Sequence, residues 1–200
     1  MNILNEDLKD IVLKHNANGK FGVRLVHAPF DVVGDGDGGS EDKELKDKQR
    51  IINFGNVAFP VDYTRMSPEE KKRIVPTTWV FREAGGKSTA APVEFSYTPI
   101  PAEDSLSPSD IAFFDDVQKI LIEKNVSKVL GVSLVRPGIP GISFKRGGSV
   151  ITLPIDLISF VPGEMRHGTL WVFPPGQDAA IQGVESGGPI GKGKFDDEDF

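Results

Sequence analysis

Apolar positions change their period several times along this chain, and each change predicts an element. Leu4, Leu8, Ile11, Val12 and His15 recur at helical spacing, which predicts a helix from Asn5 to about Asn16, with Asn5 capping its start and Gly19 taking the left-handed turn at its end. FGVRLVHAPF then alternates: Phe21, Val23, Leu25 and His27 fall on one face of a strand, and Pro29 limits its register. Ile51 to Val61 again has strand character. Ser67-Pro68-Glu69-Glu70 carries a capping box for a short helix closed by Pro76. Two strands follow. Trp79 and Phe81 on the first lie against Val93, Phe95 and Tyr97 on the second as aromatic cross-strand neighbours, joined by a loop from about Ala84 to Ala91.

Ser107-Pro108-Ser109-Asp110 opens the clearest helix of the chain, with Ile111, Phe114, Val117 and Leu121 on one side and Asp115, Lys119 and Glu123 toward the other. Past Asn125 the pattern is one of short strands, Val129 to Val135, Ile142 to Phe144, Val150 to Leu153 and Thr169 to Phe173, with Gly147-Gly148 as a tight turn. These elements predict an α+β fold: a single mainly antiparallel sheet of roughly six to eight strands, curved or partly closed, packed with two principal helices. The even scatter of short strands and Gly/Pro turns opposes a doubly wound parallel sheet.

Two stretches lack apolar periodicity. Residues 34–49, GDGDGGSEDKELKDKQ, have too little apolar surface to offset the entropy of ordering and read as a mobile loop. Residues 174–200 hold two lysines against six acids, a balance of −4 in a chain whose total is −6, and read as an acidic, disordered C-terminal tail. Residues 1–173 are then one globular domain.

Charge and composition narrow the function classes. A net charge of −6 and a pI near 5.1, with Lys and Arg scattered, give no footprint for nucleic acid or an anionic membrane. The chain has no cysteine, so disulfides, thiolate metal sites and cysteine nucleophiles are excluded. A charged N-terminal stretch and no apolar run of membrane-spanning length point to a soluble, cytoplasmic protein.

Candidate motifs fail on chemistry. Gly85-Gly86-Lys87-Ser88-Thr89 resembles the tail of a phosphate-binding loop, but the first glycine of that motif falls on Phe81, and Pro92 with the alternating Val93, Phe95 and Tyr97 replaces the obligatory helix by a strand. Asp35-Gly36-Asp37 opens like a calcium loop, yet it puts Ser40 where glycine is required and Lys46 where a bidentate glutamate is required. His167, in PGEMRHGT, reads as part of a turn before a strand.

His15 and His27 are the positive lead for catalysis. Each extends an apolar face, and a helix packed on the following strand brings the two together as an acid/base pair or as ligands to a divalent metal, with Asp31 or Glu164 as a third ligand. No other cofactor is implied. Two functions are carried. The first is a non-catalytic intracellular binding or interaction protein whose curved sheet, lined by Trp79, Phe81, Phe95 and Tyr97, holds an apolar small molecule or a protein partner. The second is a small, metal-assisted enzyme centred on His15 and His27. The tail, with Phe195 and Phe200 bracketing acids, adds a segment able to dock into a basic, apolar groove.

Overall fold

The computed structural model describes residues 3–25, 49–84, 87–99, 106–135, 141–146, 149–154, 166–176 and 180–187. The first helix opens with a π-helical turn over Leu4–Leu8, closed by the Leu8 amide donating to the Ile3 carbonyl at 3.0 Å, and continues as α1, Lys9–Lys14. Asn5 does not cap it. Its side-chain oxygen instead accepts from the Ala180 amide at 3.0 Å, tying the helix to the far end of the chain. The left-handed conformation after the helix is taken first by Asn16, at φ 51°, and then by Gly19, at φ 77°.

Ten strands are described: β1 (Phe21–Leu25), β2 (Gln49–Phe54), β3 (Val57–Asp62), β4 (Ile74–Ala84), β5 (Lys87–Tyr97), β6 (Leu130–Leu134), β7 (Gly141–Arg146), β8 (Ser149–Pro154), β9 (Arg166–Val172) and β10 (Ile181–Gly187). They form one sheet in the order β1-β6-β4-β5-β2-β3-β8-β7-β10-β9, which closes on itself where β9 pairs with β1. Most neighbours are antiparallel; β2 with β5 and β7 with β10 are parallel. The fold is α+β, as the pattern predicts, and its sheet is larger and more fully closed than expected.

Two short runs behave as their local chemistry dictates. In α2, Pro68–Lys71, the Ser67 hydroxyl accepts from the Glu70 amide at 3.2 Å while the Glu70 carboxylate accepts from the Ser67 amide at 2.7 Å. In α3, Pro108–Glu123, Ser107 and Asp110 make the same reciprocal pair. Pro76 does not end α2, which stops at Lys71; it lies in β4, paired with Phe95.

The core forms where the helices cover β1, β6 and β4. Phe113, Phe114, Val117 and Leu121 of α3 and Leu8 and Val12 of the first helix meet Phe21 and Val23, Trp79 and Phe81, and Leu130 and Val132. Each such side chain contributes roughly 1.5–3 kcal/mol through the apolar area it removes from water. Ile111 is not part of this stripe: it is 52% exposed, and Phe113 fills the place, one residue round the helix from Ala112.

Three strand expectations change. Residues 51–61 are not one strand but a hairpin, with Gly55-Asn56 as a two-residue turn between Phe54 and Val57. Gly55 has φ +64°, the conformation demanded of the first central residue when glycine begins a tight hairpin turn. The β4–β5 loop is also shorter than the Ala84–Ala91 expected, because Ala84 already pairs with Lys87. Finally, β10 lies within the stretch after Pro174 whose composition reads as tail. It is held on both sides by backbone pairing, to β9 and to β7. The segment 34–48 and the residues past 187 lie outside the described residues.

Candidate functional site

His15 stands at the junction of the two principal helices. Its Nε2 donates to Asp116 Oδ2 at 2.7 Å, and its ring meets Phe113 edge-on at 6.0 Å. Lys14 Nζ reaches the same carboxylate oxygen at 2.6 Å. The Lys14 and His15 hydrogen bonds hold the Asp116 carboxyl below its ordinary value. This geometry docks α1 on α3. His27, Asp31 and Glu164, the other members of the acid/base or metal expectation, lie outside the described residues. Among the described residues no group of three His, Asp or Glu side chains is placed to hold a metal ion. His167 lies in β9 opposite Ser186, in a strand and not in the turn expected for it.

The four expected pocket residues fall into two groups. Register shifts at Pro76/Thr78 and Thr78/Trp79 pair Trp79 with Pro92 and Phe81 with Ala90, whereas Phe95 pairs with Pro76 and Tyr97 with Ile74. Trp79 and Phe81 therefore do not oppose Val93, Phe95 and Tyr97 directly. Both are 5% exposed and pack on Phe114, with centroid separations of 5.1 and 6.2 Å; they belong to the helix-covered core. Phe95 is half-buried. Tyr97 sits at the other end of the β4–β5 pair, in different company.

That company is a column of three rings. Phe54 stacks on Phe59 with centroids 4.9 Å apart and planes 8° from parallel, and on Tyr97 at 5.3 Å and 20°. The β2–β3 hairpin builds it. In a continuous strand Phe54 and Phe59, five positions apart, would point to opposite faces; the two-residue turn reverses the parity, pairs Ile52 with Phe59, and sets both rings on one face. The parallel ladder from β2 to β5, which pairs Ile52 with Phe95, brings Tyr97 alongside. Phe54 and Phe59 are each 36% exposed, while Ile52 beside them is fully buried.

A cation closes the Tyr97 end. Arg73 Nη1 donates to the Tyr97 hydroxyl at 2.9 Å, and the Arg73 carbonyl accepts from the Thr98 amide at 2.8 Å, which fixes its backbone beside the end of β5. Arg50 shares the β2 face of Ile52 and Phe54 by alternation. Exposed stacked aromatics beside a guanidinium form a surface able to take up another ring or apolar side chain together with an anionic group. Phe54, Phe59 and Arg73 were missed in the sequence. The available signal was the Gly55-Asn56 dipeptide between apolar runs, which marks a hairpin.

On the sheet face opposite the helices lies a buried polar network. Arg24 approaches Glu94 at 3.1 Å, and the Thr78 hydroxyl donates to the other carboxylate oxygen at 2.9 Å. The Ser133 hydroxyl lies 3.0 Å from that of Thr78 and 3.1 Å from the Thr77 carbonyl. Arg24 pairs with Gly131 across the β1–β6 ladder. With its groups mutually satisfied, the network links β1, β6, β4 and β5, a structural role. No known protein family, curated protein or solved structure matches this chain.

Proposed function

We propose that this chain is a non-catalytic binding protein of the cytoplasm, and that its contact surface is the column Phe54, Phe59 and Tyr97 with Arg73 at one end. The observation that carries this reading is the pair of stacked, one-third exposed rings of Phe54 and Phe59, which lie outside the core cluster that the first helix and α3 cover. Single exposed apolar residues are ordinary, whereas contiguous exposed aromatics mark contact surfaces. Small-molecule sites enclose most of their ligand. An open column is suited instead to a protein segment that lays its own apolar side chains across the rings. Trp79 and Phe81 then support the sheet from the core and do not touch the partner. No helix of the described residues is long and apolar enough to cross a membrane.

The test uses Nile red, a neutral apolar dye, titrated into the full chain and into a Phe54→Ser/Phe59→Ser variant. The core tryptophan Trp79 reports by near-ultraviolet circular dichroism that the fold is retained. The reading predicts that dye affinity falls at least about fivefold in the variant, the order of effect expected when two aromatic contacts are lost. Equal affinity in the two proteins would show that the column is not the apolar contact surface.

A further inference from the structure

We infer that Asn18, in the Asn18-Gly19 turn between the first helix and β1, is a site of spontaneous covalent modification, losing ammonia through a succinimide to give aspartyl and isoaspartyl products. The step is intramolecular, so nucleophile and electrophile are already neighbours. The Gly19 backbone nitrogen, its proton passing to hydroxide, attacks the Asn18 side-chain carbonyl carbon. The new N–Cγ bond closes the succinimide ring, and the Cγ–Nδ2 bond breaks as the leaving nitrogen takes a proton from water and departs as ammonia. Water then opens the ring at either carbonyl. Opening at Cγ leaves an aspartyl residue; opening at the main-chain carbon routes the backbone through Cβ and Cγ, leaving an isoaspartyl residue with an extra methylene in the chain.

Sequence and local structure single out this asparagine. A side chain on the following residue crowds the attacking nitrogen, and glycine has none. The other asparagines precede Ile3, Glu6, Ala17, Phe54, Val57 and Val126, whereas Asn18 precedes Gly19. Hydrogen bonding sharpens the choice, because an amide held in a bond does not turn onto its neighbour's side chain. The Ala17 amide beside Asn16 donates to the Val12 carbonyl at 2.9 Å, and the Val126 amide beside Asn125 donates to the Leu121 carbonyl at 2.8 Å. From Ala17 to Phe21 the backbone donors are Ala17, Lys20 and Phe21; among the described residues the Gly19 amide donates no backbone hydrogen bond. Gly19 is exposed, at φ +77°, and a Cβ there would meet nothing within 4 Å, so the peptide has room to swing.

The turn lies where main-chain length matters. The Lys20 and Phe21 amides both donate to the Ala17 carbonyl, at 3.1 and 3.0 Å, which fixes the exit from the helix. Phe21 is buried, stacks on Phe113 with centroids 5.2 Å apart and meets Phe114 edge-on at 5.3 Å. Lys20 Nζ reaches both Asp110 carboxylate oxygens at 2.6 Å, tying the same turn to α3. A methylene added between Ala17 and Phe21 forces either these bonds or the seat of Phe21 to shift. The new carboxylate also stands close in sequence to Lys20 and competes with Asp110 for its ammonium group. Isoaspartyl formation therefore loosens the first helix and α3 from β1, and acts as a slow, one-way timer on this end of the core.

The test ages the full chain at physiological temperature in mildly alkaline buffer. Each event adds a negative charge, so products are separated by ion exchange and mapped by tandem mass spectrometry, with electron-transfer fragmentation distinguishing aspartyl from isoaspartyl. Asn18 is expected to lose ammonia at least about tenfold faster than Asn16 or Asn125, a barrier lower by about 1.4 kcal/mol or more. Both products should form. Equal rates at the three positions, or an aspartyl product alone, overturn the succinimide route. The Asn18→Gln chain, whose longer side chain disfavours ring closure, should lose the main acidic species; its persistence would overturn the assignment to this turn. Finally, the isolated isoaspartyl fraction should unfold at a lower urea midpoint than unaged protein when followed by tryptophan fluorescence. An equal midpoint would overturn the effect on the junction.

Discussion

The strands that close the sheet approach each other tightly at Gly22, and replacing that glycine tests the closure directly. Gly22 lies in β1 opposite Val172, within the short β1–β9 ladder that joins the two ends of the sheet. A Cβ at this position would stand 2.7 Å from the Trp171 carbonyl oxygen, 2.9 Å from Leu170 Cδ1 and 3.3 Å from Val172 Cγ1. Leu170 and Val172 have rotamers to adjust, but the carbonyl belongs to the ladder. For Gly22→Ala the two strands must therefore separate by roughly half an ångström to restore an ordinary contact. Overpacking of this kind costs about 1–3 kcal/mol, while replacing a strand glycine by alanine returns about 0.5–1 kcal/mol of chain entropy. The net expectation is a loss of about 1–2 kcal/mol. With a denaturant slope of about 2–3 kcal/mol/M, the urea midpoint followed by tryptophan fluorescence falls by about 0.3–1 M at unchanged slope. The control is Gly55→Ala, where a Cβ meets nothing within 4 Å and only the φ of +64° is strained, which costs about 1 kcal/mol without disturbing β9. A Trp171 emission that shifts in the folded Gly22→Ala protein and not in Gly55→Ala locates the effect at the seam. An unchanged or raised midpoint for Gly22→Ala would refute the reasoning, because it would mean that β9 is not seated against β1.

The buried network predicts that Arg24→Met destabilises by about 3 kcal/mol, since Glu94 is left buried with one hydroxyl donor; adding Glu94→Leu should recover much of the loss in a double-mutant cycle, and additive losses would contradict the pairing. Two aspartates predict acid sensitivity. Burial acts to raise the Asp110 carboxyl, but hydrogen bonds from Lys20 and Ser107 outweigh it, and bonds from Lys14 and His15 lower Asp116. Their folded values lie below the unfolded ones, so the stabilisation is present above the unfolded carboxylate pKa of about 4 and is lost as pH falls through the folded values. Asp110→Asn/Asp116→Asn should lower the urea midpoint at pH 7 and flatten its fall on acidification; curves parallel to the parent's would exclude these groups. Lastly, Phe54→Leu/Phe59→Leu keeps apolar cover over the strands but removes the flat rings. Stability measured by urea should change by less than about 1.5 kcal/mol, while Nile red affinity drops; affinity retained at unchanged stability would show that the rings bind only as bulk.

What was legible in the sequence is what local chemistry decides. The capping box read at Ser67 and Glu70 formed, and the helix start read at Ser107 is closed by the same reciprocal bonds with Asp110, because serine and the acid three residues later satisfy each other locally. Phe114, Val117 and Leu121 were placed on the buried stripe by periodicity, and only Ile111, at the helix's first turn, fell on the wrong side. The β4–β5 hairpin was legible, but its register was not: the shifts near Thr78 add a residue to one strand, which strict alternation does not encode. β10 was unreadable for a related reason. IQGVESG is poor in apolar side chains, and its order comes from backbone partners on both edges, supplied by residues far away in sequence. The column failed on parity. Alternation across an unrecognised turn assigns Phe54 and Phe59 to opposite faces, so the stacked pair was divided by the rule that finds strands.

The division of that sheet face has a physical cause. At the Trp79 and Phe81 end, α3 supplies Phe113 and Phe114, and the aromatic rings there are sealed to within a few per cent of exposure. The Ile74 and Tyr97 end lies outside the core cluster that the first helix and α3 cover. Ile52 is nevertheless fully buried, and the residue paired with it in β3 is Phe59, which stacks on Phe54. The rings thus do two things: their inner sides shield the sheet, and their outer sides remain in water at a cost of about 25 cal/mol for each square ångström of apolar surface left exposed. Shielding alone calls for no aromatic stacking, because leucine or isoleucine at both positions would cover Ile52 with less ring surface left to solvent. A guanidinium fixed at the Tyr97 hydroxyl is likewise unnecessary for a cover. Stacked rings with a cation at their end would be accounted for by an occupant on the outer side, and this is why the proposed contact surface lies at the exposed rings and not at the aromatic residues the first helix and α3 enclose.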